Sequence, residues 1–243
     1  MFSSIIPELH KITDKLLVQV DERLIPLFKR SFSLDIEFHS SKEKIDVSEY
    51  DYQISCGSLP KYFRQTIESF ENSSKGWLSA SDLKTKNFRS KLLSDESETL
   101  IGISWQSTTN SSSQKRSIPL SQLATSLHSN NVRLISLQYG EVDSEIENLF
   151  DDSGIKVIQI KEINNMNDID DLAALISACD RVVSICNITV HIAGALGKDT
   201  RVMLHYSHDW RWGESLENSY WHSSLKLYRQ TKIDDWENLI SQL

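Results

Sequence analysis

The chain has 243 residues, 39% of them hydrophobic and 25% charged, which is enough apolar material for one large domain or two ordinary ones and excludes long disorder. The 26 basic and 34 acidic side chains leave a net charge of −8, and that balance disfavours a protein held by general attraction to the nucleic-acid backbone. No apolar run approaches the roughly 20 residues of a bilayer span, and the N-terminus lacks the charged flank and apolar stretch of a signal peptide. Cys56, Cys179 and Cys186 are an odd number without close pairing, which fits a reducing, cytoplasmic compartment.

In chain order, Leu16 to Val20 predicts a buried strand and Glu22 to Phe32 a helix with Leu24, Ile25, Leu27 and Phe28 on one stripe. Leu34 to Phe38 predicts a strand, Tyr52 to Ser55 a short one, and Leu59 to Phe70 a helix. A polar, mostly helical stretch from Ser79 to Ser97 follows. Leu100 to Trp105 predicts a strand, and Gln106 to Arg116 a loop of Ser, Thr and Asn. Pro119 opens a helix to about His128. Then come a strand at Val132 to Leu137, a helix at Asp143 to Phe150, a strand at Ile155 to Ile160 and a helix at Asp168 to Ala178. Arg181 to Ile185 predicts a strand, Thr189 to Leu196 a helix closed by Gly197, Thr200 to Leu204 and Leu225 to Tyr228 strands, and Asp234 to Leu243 a last helix. This alternation implies βαβ units and a parallel sheet, with about five units from Leu100 onward and about three before it.

Ligands bind open α/β sheets at the carboxyl ends of the strands. That rule selects the loops at Ser104 to Arg116, Gln138 to Gly140 and Cys186 to His191. The last leads into a helix of small residues whose free N–H groups suit a phosphate, although Asn187 or Thr189 could also simply cap it. His191 reads either as a ligand contact or as a histidine held by a neighbouring backbone group. Trp210, Trp212 and Trp221 read as core or as a stacking platform, with core favoured. His205, His208 and Asp209 lack the further ligands of a metal site, so no metal is expected. Lys115-Arg116 is too short for a nucleic-acid patch. A dehydrogenase-like cofactor domain is set aside because no Gly-x-Gly-x-x-Gly loop is present.

Six pieces in order carry a resemblance: Gly102-Ile103-Ser104-Trp105-Gln106, Arg116-Ser117-Ile118-Pro119-Leu120, Ser136 to Glu141, Asp170 to Ile176, His191 to Lys198, and Asp209-Trp210-Arg211-Trp212. From Leu100 onward the chain resembles the C-terminal half of bacterial glycosyltransferases of the heptosyltransferase-like family 9 group, in the version usually attached to tetratricopeptide repeats. Met1 to Leu9, Asp21 to Phe32 and Gly57 to Pro60 resemble it less strongly.

The resemblance implies an α/β, GT-B-like fold of two Rossmann-like domains: residues 1–98, truncated and on the acceptor side, and residues 99–243, which hold the sugar nucleotide. It implies that Ser104, Gln106, Arg116, Gln138, Asn187, Thr189 and His191 bind the donor, with Arg116 neutralising the diphosphate. It implies no cofactor, no metal, and a protein or glycan acceptor with an oxygen nucleophile. Two departures qualify this. Cys186-Asn187 stands where many relatives carry Asp-Thr. The acidic turn expected to supply the base would lie before Met1, so the catalytic residue is unknown: either the chain is a fragment, or it pairs with a protein partner that supplies the missing N-terminal part, or it is not a competent transferase alone. The alternative is a non-catalytic sugar-nucleotide-binding or protein-interaction module that has lost the base.

Overall fold

The computed structural model describes residues 1–73, 76–107 and 116–243. The N-terminal hundred residues contain α1 (Ile6–His10), β1 (Leu16–Val20), α2 (Ile25–Ser31), β2 (Ile36–Ser40), α3 (Pro60–Phe63) and α4 (Asp82–Leu92). β1 and β2 form a two-stranded parallel sheet in the register Leu16↔Ile36 to Val20↔Ser40. Ile6, Leu16, Phe28, Ile36 and Phe38 bury one face of it, and Asp21 caps the turn into α2 by accepting from the N–H of Arg23.

From Thr99 the chain runs β3 (Thr99–Ser104), α5 (Leu120–Leu127), β4 (Val132–Ser136), α6 (Asp143–Ser153), β5 (Val157–Ile158) and α7 (Ile169–Ala178). It continues through β6 (Arg181–Ile185), α8 (Ile188–Ala195), β7 (Thr200–Leu204), β8 (Leu225–Arg229) and α9 (Trp236–Ile240). The six strands lie in the order β5-β4-β3-β6-β7-β8, every pairing parallel. Counted from β3 as the first strand, this is the 3-2-1-4-5-6 order of a doubly wound Rossmann sheet. The order reverses between β3 and β6, so a crevice opens there at the carboxyl ends of both.

Strand side chains alternate between the two faces, and two cores follow. Ile101 and Ile103 join Leu123, Leu149, Trp236 and Leu239 under α5, α6 and α9. Leu100 and Val182 join Leu172, Leu175 and Ile192 under α7 and α8. The N-terminal hundred docks on this second layer: Leu27, Phe88 and Leu92 enter the same core. Burying Phe88 and Leu92 alone is worth roughly 3–6 kcal/mol. Asp170 of α7 accepts from both Arg30 and Lys84, the latter at 2.9 Å. Gly102 lets Leu137 and Cys179 approach β3 closely: a Cβ there would stand 2.5 Å from Leu137 Cδ1 and 3.1 Å from Cys179 Sγ, so those side chains would have to shift.

Several expected elements differ. Tyr52 to Ser55 is not a strand; Tyr52 is 94% exposed and the segment meets no sheet edge. The helix expected from Leu59 to Phe70 is only α3, which stops where Arg64 leaves helical geometry (φ −132°, ψ 53°) and buries its guanidinium against Glu8. A 3-10 turn at Glu68–Ser73 follows. The strand expected over Ile155 to Ile160 pairs only at Val157–Ile158, and the last helix is Trp236–Ile240. Within the expected Gln106 to Arg116 loop, residues 108–115, including Lys115, lie outside the described residues. Among the described residues, no helix is long and apolar enough to cross a membrane.

Candidate functional site

The crevice between β3 and β6 is built by one buried amide. Gln138, 2% exposed just beyond β4, accepts through Oε1 from Ser104 Oγ, the Trp105 N–H and the Gln106 N–H, each at 2.9 Å. Its Nε2 donates to the carbonyls of Gln106 (3.2 Å) and Tyr139 (3.1 Å). Both polar atoms of the Gln138 side chain are thus used by the protein, and its work is to fold the β3 loop back across the strand ends. Ser104 Oγ also accepts from Asn187 Nδ2 at 2.7 Å, which ties the ends of β3, β4 and β6 together.

Asn187 is the N-cap of α8: its Oδ1 accepts from the Thr189 N–H at 3.0 Å. Thr189 is fully buried, and its hydroxyl has no partner among the described residues. α8 directs its first N–H groups and the positive end of its dipole at the crevice. Gln106 Nε2 and Trp105 Nε1 both donate to Glu145 Oε2, the latter at 2.9 Å. Glu145 was missed in the sequence, although an acidic residue in the first turn of a helix was a readable sign. Asn165, likewise missed, donates to the Gln138 carbonyl at 3.0 Å.

Arg116 stands at the neighbouring strand ends, where it lines a cavity with His205 and Gln230, the residues that follow β7 and β8. Among the described residues it is the one arginine of ten with no carboxylate or carbonyl partner. Its charge reaches both Cys186 and His205 and holds each thiol or ring toward its deprotonated form, against the larger effect of burial at Cys186, which raises that thiol.

His191 lies one turn into α8 and does not join the Gln138 network. Its ring stacks on Trp212 (5.2 Å, 15°) and tilts against His222 (5.8 Å, 48°), which stacks on Trp77 (5.1 Å, 13°). Its Nδ1 has no partner among the described residues. Burial, with the N-terminal amine and Arg211 adding to it, pushes its pKa down to about 3. Burial also holds the fully enclosed His222 well below the ordinary value. Gly194 makes room for this stack, since a Cβ there would stand 2.5 Å from the His222 ring. Trp212 and Trp221 are core residues, 1% and 5% exposed, while Trp210 is 69% exposed. His208 faces backbone carbonyls with both ring nitrogens, Nε2 at 2.8 Å from that of Gly213 and Nδ1 at 3.3 Å from that of His205.

The seven expected site residues therefore fall in three places. Ser104, Gln106, Gln138, Asn187 and Thr189 form one bonded network. Arg116 sits beside it, over the next strands, and His191 packs into the aromatic stack behind it.

No family model matches the chain. It is 24% identical over 253 residues to Protein FlbA of Caulobacter vibrioides, covering 98% of this chain and 42% of that protein. The chain thus spans about two fifths of the curated relative it matches. Among solved structures, it is similar to the Escherichia coli heptosyltransferase WaaC with ADP-2-deoxy-2-fluoro heptose, at 12% identity and a TM-score of 0.49, over 100% of this chain and 90% of that one. It is similar to a glycosyl transferase family 9 protein of Veillonella parvula at 13% identity and a TM-score of 0.48, over 71% of this chain and 47% of that one. It is also similar to the E. coli ADP-heptose lps heptosyltransferase II at 11% identity and a TM-score of 0.47, over 68% and 53%. The strand order, not these likenesses, carries the fold.

Proposed function

We propose that the chain is a glycosyltransferase of the heptosyltransferase-like type, moving a hexose or heptose from a nucleotide donor to an oxygen acceptor in the cytoplasm, without a metal. Residues 99–243 hold the donor and residues 1–98 face the acceptor. The observation that carries this reading is the crevice at the β3–β6 switch point. It combines the α8 N-terminus with the Ser104–Gln138–Asn187 network, and Arg116, unpaired among the described residues, stands beside it over the ends of β7 and β8. A switch-point crevice with a helix start suits a diphosphate, and a free guanidinium offsets the charge that develops on the leaving phosphate.

On this reading Gln138 positions the loop and does not itself touch the donor, since its bonds are already made. The second Nδ2 hydrogen of Asn187 and the α8 N–H groups that Asn187 leaves free hold phosphate oxygens, and Arg116 clamps the diphosphate from the side. The test is a donor-hydrolysis and transfer assay with UDP-, ADP- and GDP-sugars. Release of one nucleoside diphosphate from one of these donors supports the reading. Its absence for all of them, together with no binding of any donor, rejects it.

A further inference from the structure

Past the switch point, the carboxyl edge of the sheet holds a cavity of about 200 Å³ over the ends of β7 and β8. That is smaller than the roughly 300–1,000 Å³ of a pocket that encloses a drug-sized ligand, so it has room for one sugar ring and not for a nucleotide. Its lining includes Arg116, His205, Ser207, Gln230 and Asp234.

Three of these groups present hydrogen-bond donors that no other described residue uses. Arg116 brings its unpaired guanidinium. Gln230 is 6% exposed; its Oε1 accepts from the Tyr206 N–H at 3.0 Å, which fixes the amide so that Nε2 is a sealed donor with no partner among the described residues. A buried donor in that state costs about 1–3 kcal/mol, and a bound acceptor atom would recover it. His205 adds a ring nitrogen. Burial first, then the charges of Arg116 and His208, hold that ring below its ordinary pKa. Asp234 brings the one carboxylate of the lining.

A cavity with this many donors is complementary to an oxyanion, and its size limits what carries the oxyanion. We propose that the β7–β8 cavity binds the acid group of a compact acidic sugar, a carboxylate or a phosphate monoester, with Arg116 shared between that group and the donor diphosphate. Whether the sugar belongs to donor or acceptor rests on the glycosyltransferase reading; the binding itself does not. An anion placed between Arg116 and His205 favours the imidazolium, so binding raises the His205 pKa and tightens as pH falls toward 6. The groups that face His205 and set this response are Arg116, His208 and, across the cavity, Asp234.

The experiment titrates the full chain with glucuronate, glucose 6-phosphate and neutral glucose, following the His205 ring by NMR, with the signal assigned through His205→Asn. ADP, UDP and GDP are titrated in parallel. The expected result is that at least one acidic sugar binds tenfold or more tightly than glucose and raises the His205 pKa. Arg116→Ala, at an exposed site that leaves the fold intact, then weakens that binding at least tenfold, and Gln230→Leu does the same. Preference between glucuronate and glucose 6-phosphate identifies the acid as carboxylate or phosphate. Glucose binding as tightly as both acids, neither acid moving His205, or binding unchanged in Arg116→Ala would each overturn the proposal. Nucleotide binding without acidic-sugar binding defeats this proposal and leaves the donor reading standing; the reverse result does the opposite.

Discussion

Replacing Gln138 with Leu removes one side chain and breaks five hydrogen bonds at once. The shape is nearly kept, so the cost lies in the partners left behind. Trp105 is fully enclosed, and its N–H loses its acceptor outright; the half-buried Gln106 N–H and Ser104 Oγ lose theirs as well. At about 1–3 kcal/mol for each buried group left without a partner, with Ser104 able to keep Asn187, the loss is about 2–5 kcal/mol. That is a large share of the 5–15 kcal/mol that holds a typical domain. Urea unfolding followed by tryptophan fluorescence measures it. With a urea slope of about 2 kcal/mol per molar, the midpoint falls by roughly 1–2.5 M. Gln138→Glu, which keeps the acceptor oxygens and loses the two donated bonds, falls between Leu and wild type near pH 5. A Leu variant within 0.5 kcal/mol of wild type (on the order of a surface change) would refute the assignment of Gln138 as the brace of the crevice.

The native pKa values of His191 and His222 lie below the unfolded value of 6.5, so the unfolded chain binds more protons as pH drops below that value and stability falls. His191, its pKa pushed down to about 3, costs about 1.4 kcal/mol per pH unit below 6.5, and His222 acts in the same direction, so urea midpoints measured from pH 7.5 to 4.5 fall, less steeply in His222→Gln; a flat profile contradicts the buried neutral stack. Gly194→Ala drives a methyl into His222 and Leu225, with contacts at 2.5 and 2.7 Å, and lowers stability by about 1–3 kcal/mol in thermal unfolding. Asp170→Ala leaves Arg30 and Lys84 without their shared carboxylate; both are partly solvent-reachable, so the loss is about 1–3 kcal/mol, with faster limited proteolysis between α4 and β3 as the N-terminal layer loosens.

The second half of the fold was legible because its strands are short apolar runs closed by turns. Arg181–Ile185 and Thr200–Leu204 are found at their expected bounds. Ile155 to Ile160 has the same composition but pairs over only two residues, Val157 and Ile158, although β4 runs from Val132 to Ser136; how far an edge strand follows its neighbour depends on a tertiary partner that a single sequence does not identify. Tyr52 to Ser55 and Leu59 to Phe70 misled for a related reason. Local apolar content was read as an element, yet Tyr52 and Tyr62 face solvent and Arg64 turns inward to Glu8. In the site, the rule of strand ends selected Ser104, Gln106, Gln138 and Asn187, which do meet. It did not separate Gln138 as a brace from its neighbours, since that distinction depends on which hydrogen bonds are already taken. The His222–Trp77 stack was not readable: 145 positions separate partners that meet only because Gly194 lets a ring approach the α8 backbone.

The proposed function requires a nucleoside diphosphate at the carboxyl edge between β3 and β6, reached by Arg116 from the neighbouring ends of β7 and β8. Isothermal titration of UDP-, ADP- and GDP-sugars into the wild-type chain and into Arg116→Ala tests it most directly. The expected result is one-to-one binding of at least one donor to the wild type, and a loss of about 10- to 100-fold in the variant, the 1.5–3 kcal/mol of a charge-assisted hydrogen bond. Equal affinity of the two proteins for that donor, or no binding of any donor to the wild type, would contradict it.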